Sequence, residues 1–152
     1  MPVPQVPEAL STGVINGTTI PWEVTPSLKI TELVKNHTGF SGTHGLYTQT
    51  FAFTMNLDRY NGLPDDLKAI IDENSGVETA RAFGAVMDAG DAVGLKIAQD
   101  ASNNIIQLDE AETARWQEAA QPTIDQWFAD MKGLGIDGKA LREQAIALVA
   151  AG

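Results

Sequence analysis

His37 and His44 are the chain's only imidazoles, and it has no cysteine. His44 stands in Ser41-Gly42-Thr43-His44-Gly45, which sets a hydroxyl near a general base. Acyl transfer needs more than nearness in sequence, and no Gly-x-Ser-x-Gly elbow lifts that serine onto a strained turn. The ordinary reading of His44 is a loop or strand-end histidine with everyday hydrogen bonds. Zinc takes three or four protein ligands, mostly Cys and His, so two histidines do not make a zinc site. The pairs Asp65-Asp66, Asp72-Glu73 and Asp109-Glu110 read as helix starts or solvated faces, and none has calcium-loop spacing. The stretch from Gly39 to Gly45 lacks both the Walker pattern and the dinucleotide fingerprint. No cofactor or metal is implied. Trp22 is of another kind: it follows Pro21 at the end of a polar strand, in a nearly neutral part of the chain. A flat side chain with one N–H donor can wall a small-molecule pocket, and a plain core tryptophan accounts for it equally. Trp116 and Trp127 share a helical stripe and read as core.

The elements that would position these residues follow from local patterns. Pro7 fits a first helical turn that Glu8 to Thr12 continue and Gly13 ends. A short strand is expected near Thr18 to Ile20, after the turn dipeptide Asn16-Gly17. Thr25 as cap and Pro26 as first helical residue predict a helix through Leu33 and Val34. Lys35 to Phe40 is a candidate strand. Tyr47 to Asn56 alternates Tyr47, Gln49, Phe51, Phe53 and Met55 with small residues, the clearest strand pattern in the chain. Pro64-Asp65-Asp66 opens a helix through Ile71 with acids at its positive end.

The remainder is mostly helical. Ser75-Gly76-Val77-Glu78 reads as a capping box that starts a helix running to about Ala101. Gly84, Gly90 and Gly94 lie inside it, each costing about 1 kcal/mol against Ala, so close packing or a bend is expected to compensate. Asn104 to Leu108 is a candidate strand. Asp109 caps a helix that Pro122 should kink or divide. Gly133 and Gly135 end it, and Asp137 caps a last helix.

Composition limits the function classes. The 152 residues are 43% hydrophobic and 20% charged, as in an ordinary globular domain. The net charge of -10 repels nucleic acid and disfavours an anionic membrane surface. Residues 1–60 carry four acids and three bases, whereas 61–152 carry sixteen and seven, so the acidity lies in the back. No run has the roughly 18 apolar residues of a membrane span, and no basic segment followed by an apolar one opens the chain as a signal peptide would.

Four pieces together carry a family resemblance: MPVPQVPEALSTGVINGTTIPW, LKITELVKNHTGF, TMNLDRYNGLPDDLKAIID and ARWQEAAQPTIDQWFADMKGLGIDG. Their order resembles the extracytoplasmic solute-binding proteins of tripartite ATP-independent periplasmic (TRAP) transporters. The resemblance covers nearly all of the chain. It implies an α/β, helix-rich fold, the C-terminal portion of a two-lobed periplasmic-binding-protein-like architecture. Residues 1–46 would be part of the second lobe. Residues 47–152 would be part of the first, with a long interlobe helix at about 76–101 and C-terminal helices. The family's solute-clamping arginine and signal peptide are expected upstream of this pattern.

The implied function is a fragment of a periplasmic receptor that delivers an organic acid to TRAP membrane subunits, without catalysis. Many members place an Asn before the proline of a Gly-x-x-x-Pro strand. Here that position is Ile20, between Gly17 and Pro21, where an apolar part of a ligand could pack. Val3 stands where some members carry an aromatic pocket residue. Thr19, Trp22 and His37 are the remaining polar or aromatic ligand candidates, and the resemblance makes His37 a strand-end histidine. The rival reading is a self-contained helical interaction module, with a small hydrolase third. As an isolated chain a homodimer is expected, joined through Tyr47 to Asn56 or through the long helix.

Overall fold

In the computed structural model, residues 1–42 and 45–151 are described. The chain divides into two compact units, Met1–Gly39 with Leu46–Ile106, and Phe40–Gly45 with Gln107–Gly152.

The first unit begins with a 3-10 turn at Val3–Gln5 and helix α1, Val6–Ser11. Pro7 lies in the first turn of α1, and Gly13 ends the segment with a φ of +72°. No strand forms near Thr18 to Ile20. The helix expected after Thr25 is also largely replaced. A 3-10 turn spans Trp22–Val24, turns follow, and only Ile30–Leu33 is α-helical, as α2. Thr25 explains part of this, because its hydroxyl donates back to the Trp22 carbonyl at 2.7 Å instead of capping forward. Lys29 then stands at a φ of +53°, which no continuous right-handed helix accommodates. Strand β1 is Asn36–Phe40.

Tyr47 to Asn56 forms no strand. Alternation prepares a segment for a sheet, but a strand needs a neighbour for its N–H and C=O groups, and here it has none among the described residues. Phe51 and Phe53 stand in solvent, Phe53 fully. The segment leads into α3, Leu57–Asn61, whose first turn is capped by the Asn56 side chain accepting from the Arg59 N–H at 3.1 Å. Helix α4, Asp65–Glu73, opens with both acids in its first turn, as expected. Helix α5, Val77–Asp100, is about 36 Å long at 1.5 Å per residue. The capping box ahead of it does not form. Gly76 occupies the cap with no side-chain bond, and the Ser75 hydroxyl donates backward to the Ile71 carbonyl at 2.6 Å.

Strand β2, Asn104–Leu108, joins β1 in a two-stranded sheet. The Asn104 N–H donates to the Lys35 carbonyl, and the Ser41 N–H to the Leu108 carbonyl. Both bonds fit one parallel register. Parallel strands need a long crossover, and the chain between β1 and β2 supplies one that contains α5. Among the described residues the buried apolar side chains are Val6, Ala9, Ile30 and Ala98, all in the first unit.

The second unit is built on α6, Glu110–Gly133, and α7, Gly138–Ala151. Asp109 accepts from the Glu112 N–H at 2.8 Å and caps α6 as expected. Asp137 does the same for the start of α7 through the Ala140 N–H at 3.0 Å. Pro122 does not divide α6, which runs unbroken. Proline withholds one bond from the Glu118 carbonyl, and the exposed residues around it leave that oxygen open to water. Trp116 and Trp127 are not core residues, being 45% and 37% exposed. Trp116 meets Phe40 edge-on at 5.5 Å, and Trp127 lies against Gly138. Among the described residues no helix is long and apolar enough to cross a membrane.

Candidate functional site

Trp22 is positioned from below by the glycines of α5. A Cβ on Gly94 would stand 2.0 Å from the Trp22 carbonyl oxygen, and one on Gly90 2.8 Å from the Glu23 Cβ. Glycine at these places lets the 3-10 turn lie directly on the helix backbone, which is the close packing expected to offset their cost. Gly84, on the same helix, has nothing within 4 Å of its Cβ position and takes no part. One α5 side chain completes the dock: Asp91 accepts from the Glu23 N–H at 2.8 Å. A carboxylate there satisfies a donor that the first turn leaves free. The Trp22 backbone is therefore fixed at its carbonyl by Gly94 and Thr25 and, one residue on, by Asp91.

His37 enters from β1 and is buried. Its ring lies 5.1 Å from the Trp22 ring, centroid to centroid, tilted by 34°. Burial lowers its pKa below 6.5, and the Lys35 ammonium two residues away lowers it further. The imidazole is thus held toward its neutral form at pH 7. Behind it stands Asn103, also buried, whose Nδ2 lies 3.0 Å from His37 Nε2. The same amide donates to the carbonyls of Thr31 at 2.9 Å and Val34 at 3.1 Å. Its Oδ1 faces the Lys35 Nζ at 3.5 Å.

Trp22 and His37 are thus the two expected residues that the fold brings together. Thr19 is exposed, and its carbonyl accepts from the Tyr47 hydroxyl at 3.2 Å. Ile20 is half-buried, two residues before Trp22. Val3 is half-exposed on its own 3-10 turn. No hydrogen bond or aromatic contact ties these three to the pair among the described residues. Asn103 and Asp91 were not singled out by the sequence. An Asn just after a helix and an Asp within one are common, and only the fold shows what they face.

Ser41, the nucleophile of the hydrolase reading, donates its hydroxyl to the Leu108 carbonyl. His44 lies outside the described residues.

The family model for bacterial extracellular solute-binding protein, family 7, matches residues 1–131. A TRAP solute-binding protein from Rhodoferax ferrireducens, solved with copurified benzoate, is 41% identical with a TM-score of 0.94; the match covers 99% of this chain and 47% of that one. A marine metagenome TRAP solute-binding protein specific for aromatic acid ligands, crystallised with 3-hydroxybenzoate, is 39% identical with a TM-score of 0.93, over 99% and 47%. A third, from Bordetella bronchiseptica with bound (R)- and (S)-mandelate, is 25% identical with a TM-score of 0.75, over 92% and 44%. This chain therefore spans about half the length of these solved relatives. A separate helical interaction module finds no support beside such a match.

Proposed function

The chain belongs to the family 7 bacterial extracellular solute-binding proteins, the TRAP solute receptors, and from that premise we propose that it forms part of a receptor for an aromatic carboxylic acid. The whole receptor binds its solute outside the cytoplasm, passes it to TRAP membrane subunits and performs no chemistry on it. The observation that carries the solute class is the 41% identity, across 99% of the chain, to a protein solved with benzoate.

The site reading is compatible with that class. Trp22, half-buried and backed by the buried His37 ring, offers an aromatic face suited to packing on an aryl ring, with Thr19, Ile20 and Val3 as further ligand-facing candidates. Residues 1–46 would belong to the second lobe and residues 47–152 to the first, with α5 passing between lobes. On its own the chain would pair with a second copy, as the exposure of Phe51 and Phe53 favours.

The test is calorimetry on this chain joined to the complementary half of the Rhodoferax protein. Benzoate and 3-hydroxybenzoate should bind at least about tenfold tighter than acetate or succinate, a difference of about 1.4 kcal/mol. Trp22→Ala should weaken the aryl acids by about 1–3 kcal/mol, the range for a buried anchor. This chain alone should bind them weakly, because half of a cleft buries less of the ligand. Equal affinity for aliphatic and aryl acids would remove the aromatic class. An unchanged affinity in Trp22→Ala would return Trp22 to the core.

A further inference from the structure

We propose that Asn103 is a positioning residue for the Trp22–His37 wall, fixing the His37 ring as a neutral imidazole with its proton on Nδ1. The Asn103 Nδ2 faces two carbonyl oxygens, of Thr31 and Val34, and the ring nitrogen His37 Nε2, all within 3.1 Å. If the amide were turned round, its oxygen would face two carbonyl oxygens, which cannot donate to it. In the observed orientation Oδ1 instead lies on the side of the Lys35 ammonium. The nitrogen therefore points at His37, where a lone pair on Nε2 can share an amide N–H and an Nε2–H would meet a donor. A neutral imidazole has one bare nitrogen and one N–H, so the proton sits on Nδ1. An imidazolium would set Nε2–H against N–H, two donors face to face.

The chain geometry around Asn103 is consistent with that task. Ser102, just before it, has a φ of +55°, a region that residues with a side chain rarely enter. The turn it makes carries the chain off the end of α5, and the Asn103 N–H closes that end on the Ala98 carbonyl at 3.0 Å. The Asn103 side chain then ties the end of α5 to the Thr31–Val34 turn and to β1. A neutral ring fixed in this way backs Trp22 without placing a charge behind it that would compete for a solute carboxylate. That this wall faces a solute rests on the reading above; the assignment of the proton does not.

Nitrogen-15 NMR of the histidine rings in the full chain tests it. Wild-type His37 should show a protonated Nδ1 and a bare Nε2. Asn103→Ala removes the donor and should shift the ring toward the Nε2–H tautomer, with a change in Trp22 fluorescence as the ring loses its anchor. Asn103→Asp keeps the shape but supplies only an acceptor, and should move the proton to Nε2 or charge the ring. A wild-type ring protonated at Nε2 overturns the assignment, as does an Asn103→Ala ring identical to wild type. Circular dichroism reports whether each variant folds. If Asn103→Ala does not, the wild-type tautomer and the Asp variant decide the matter. No ligand is needed, so failure to bind aromatic acids would count against the solute reading alone.

Discussion

Gly94 and Trp22 touch backbone to backbone: the position of a Gly94 Cβ falls 2.0 Å from the Trp22 carbonyl oxygen. Thr25 donates to the same oxygen, and its hydroxyl lies 2.9 Å from that Cβ position. A residue in the middle of a long helix thereby sets the height of an aromatic ring more than seventy positions earlier in the chain.

The first prediction follows from that contact. Gly94→Ala forces a methyl into occupied backbone, where no flexible side-chain end can yield. Such overpacking costs about 1–3 kcal/mol, against a helix-propensity gain of about 1 kcal/mol. Steric conflict with backbone at 2.0 Å should put the result in net loss. Gly84→Ala meets nothing and should stabilise by up to about 1 kcal/mol. Urea denaturation of the two variants checks the contrast. Equal stability would show that α5 and the Trp22–Val24 turn are not docked in solution.

His37 makes stability depend on pH. Its folded pKa is lowered by burial and by Lys35, while the unfolded chain keeps a value near 6.5. Between the two values the unfolded state binds more protons, so stability increases with pH there. The contribution is fully present above about pH 6.5, is lost as pH falls toward the folded pKa, and levels off below it. Urea midpoints measured from pH 5 to 8 should fall more steeply on the acid side for wild type than for His37→Gln. Parallel curves would mean that the ring is not held neutral in the folded protein.

What the sequence makes legible is local chemistry. β2 at Asn104–Leu108, the Asp109 cap, the helix after Pro64 and the long helix with its glycines are each written in a few neighbouring residues. What it hides depends on distant partners. Thr25 and Ser75 have the side chains of helix caps, yet both hydroxyls bond backward to carbonyls already in place. Tyr47 to Asn56 has the alternation of a strand and pairs with no strand among the described residues. Trp22 and His37 could be named as candidates separately; their meeting at 5.1 Å, and Asn103 behind them, need the crossover through α5.

The two capping signals give a paired prediction. Asp109 bonds the Glu112 N–H and lies at the positive end of α6. Asp109→Ala should therefore cost about 1 kcal/mol. Ser75 caps nothing in α5. Its exposed hydroxyl donates back to the Ile71 carbonyl, so Ser75→Ala should change stability by less than about 0.5 kcal/mol. Thermal unfolding followed by circular dichroism separates the two, and a larger loss from Ser75→Ala would restore the capping box.

The last prediction is that the isolated chain self-associates. Phe51, Phe53 and Met55 stand in solvent on a segment whose backbone pairs with nothing among the described residues. On α5, Phe83, Val86 and Val93 are also more than half exposed. Contiguous exposed apolar surface marks interaction sites, and an alternating segment without a neighbouring strand is a template for one. The solved relatives are about twice as long, so these residues match only part of a larger fold. For the chain studied by itself, pairing with a second copy would cover them, and a net charge of -10 opposes indiscriminate clumping. Light scattering should therefore give a mass near twice the monomer at micromolar concentration. Phe51→Lys with Phe53→Lys should shift that mass toward the monomer if the segment is the contact. A lasting dimer in this variant would move the contact to α5. A folded wild-type monomer over the whole concentration range would mean that the chain covers these side chains by itself.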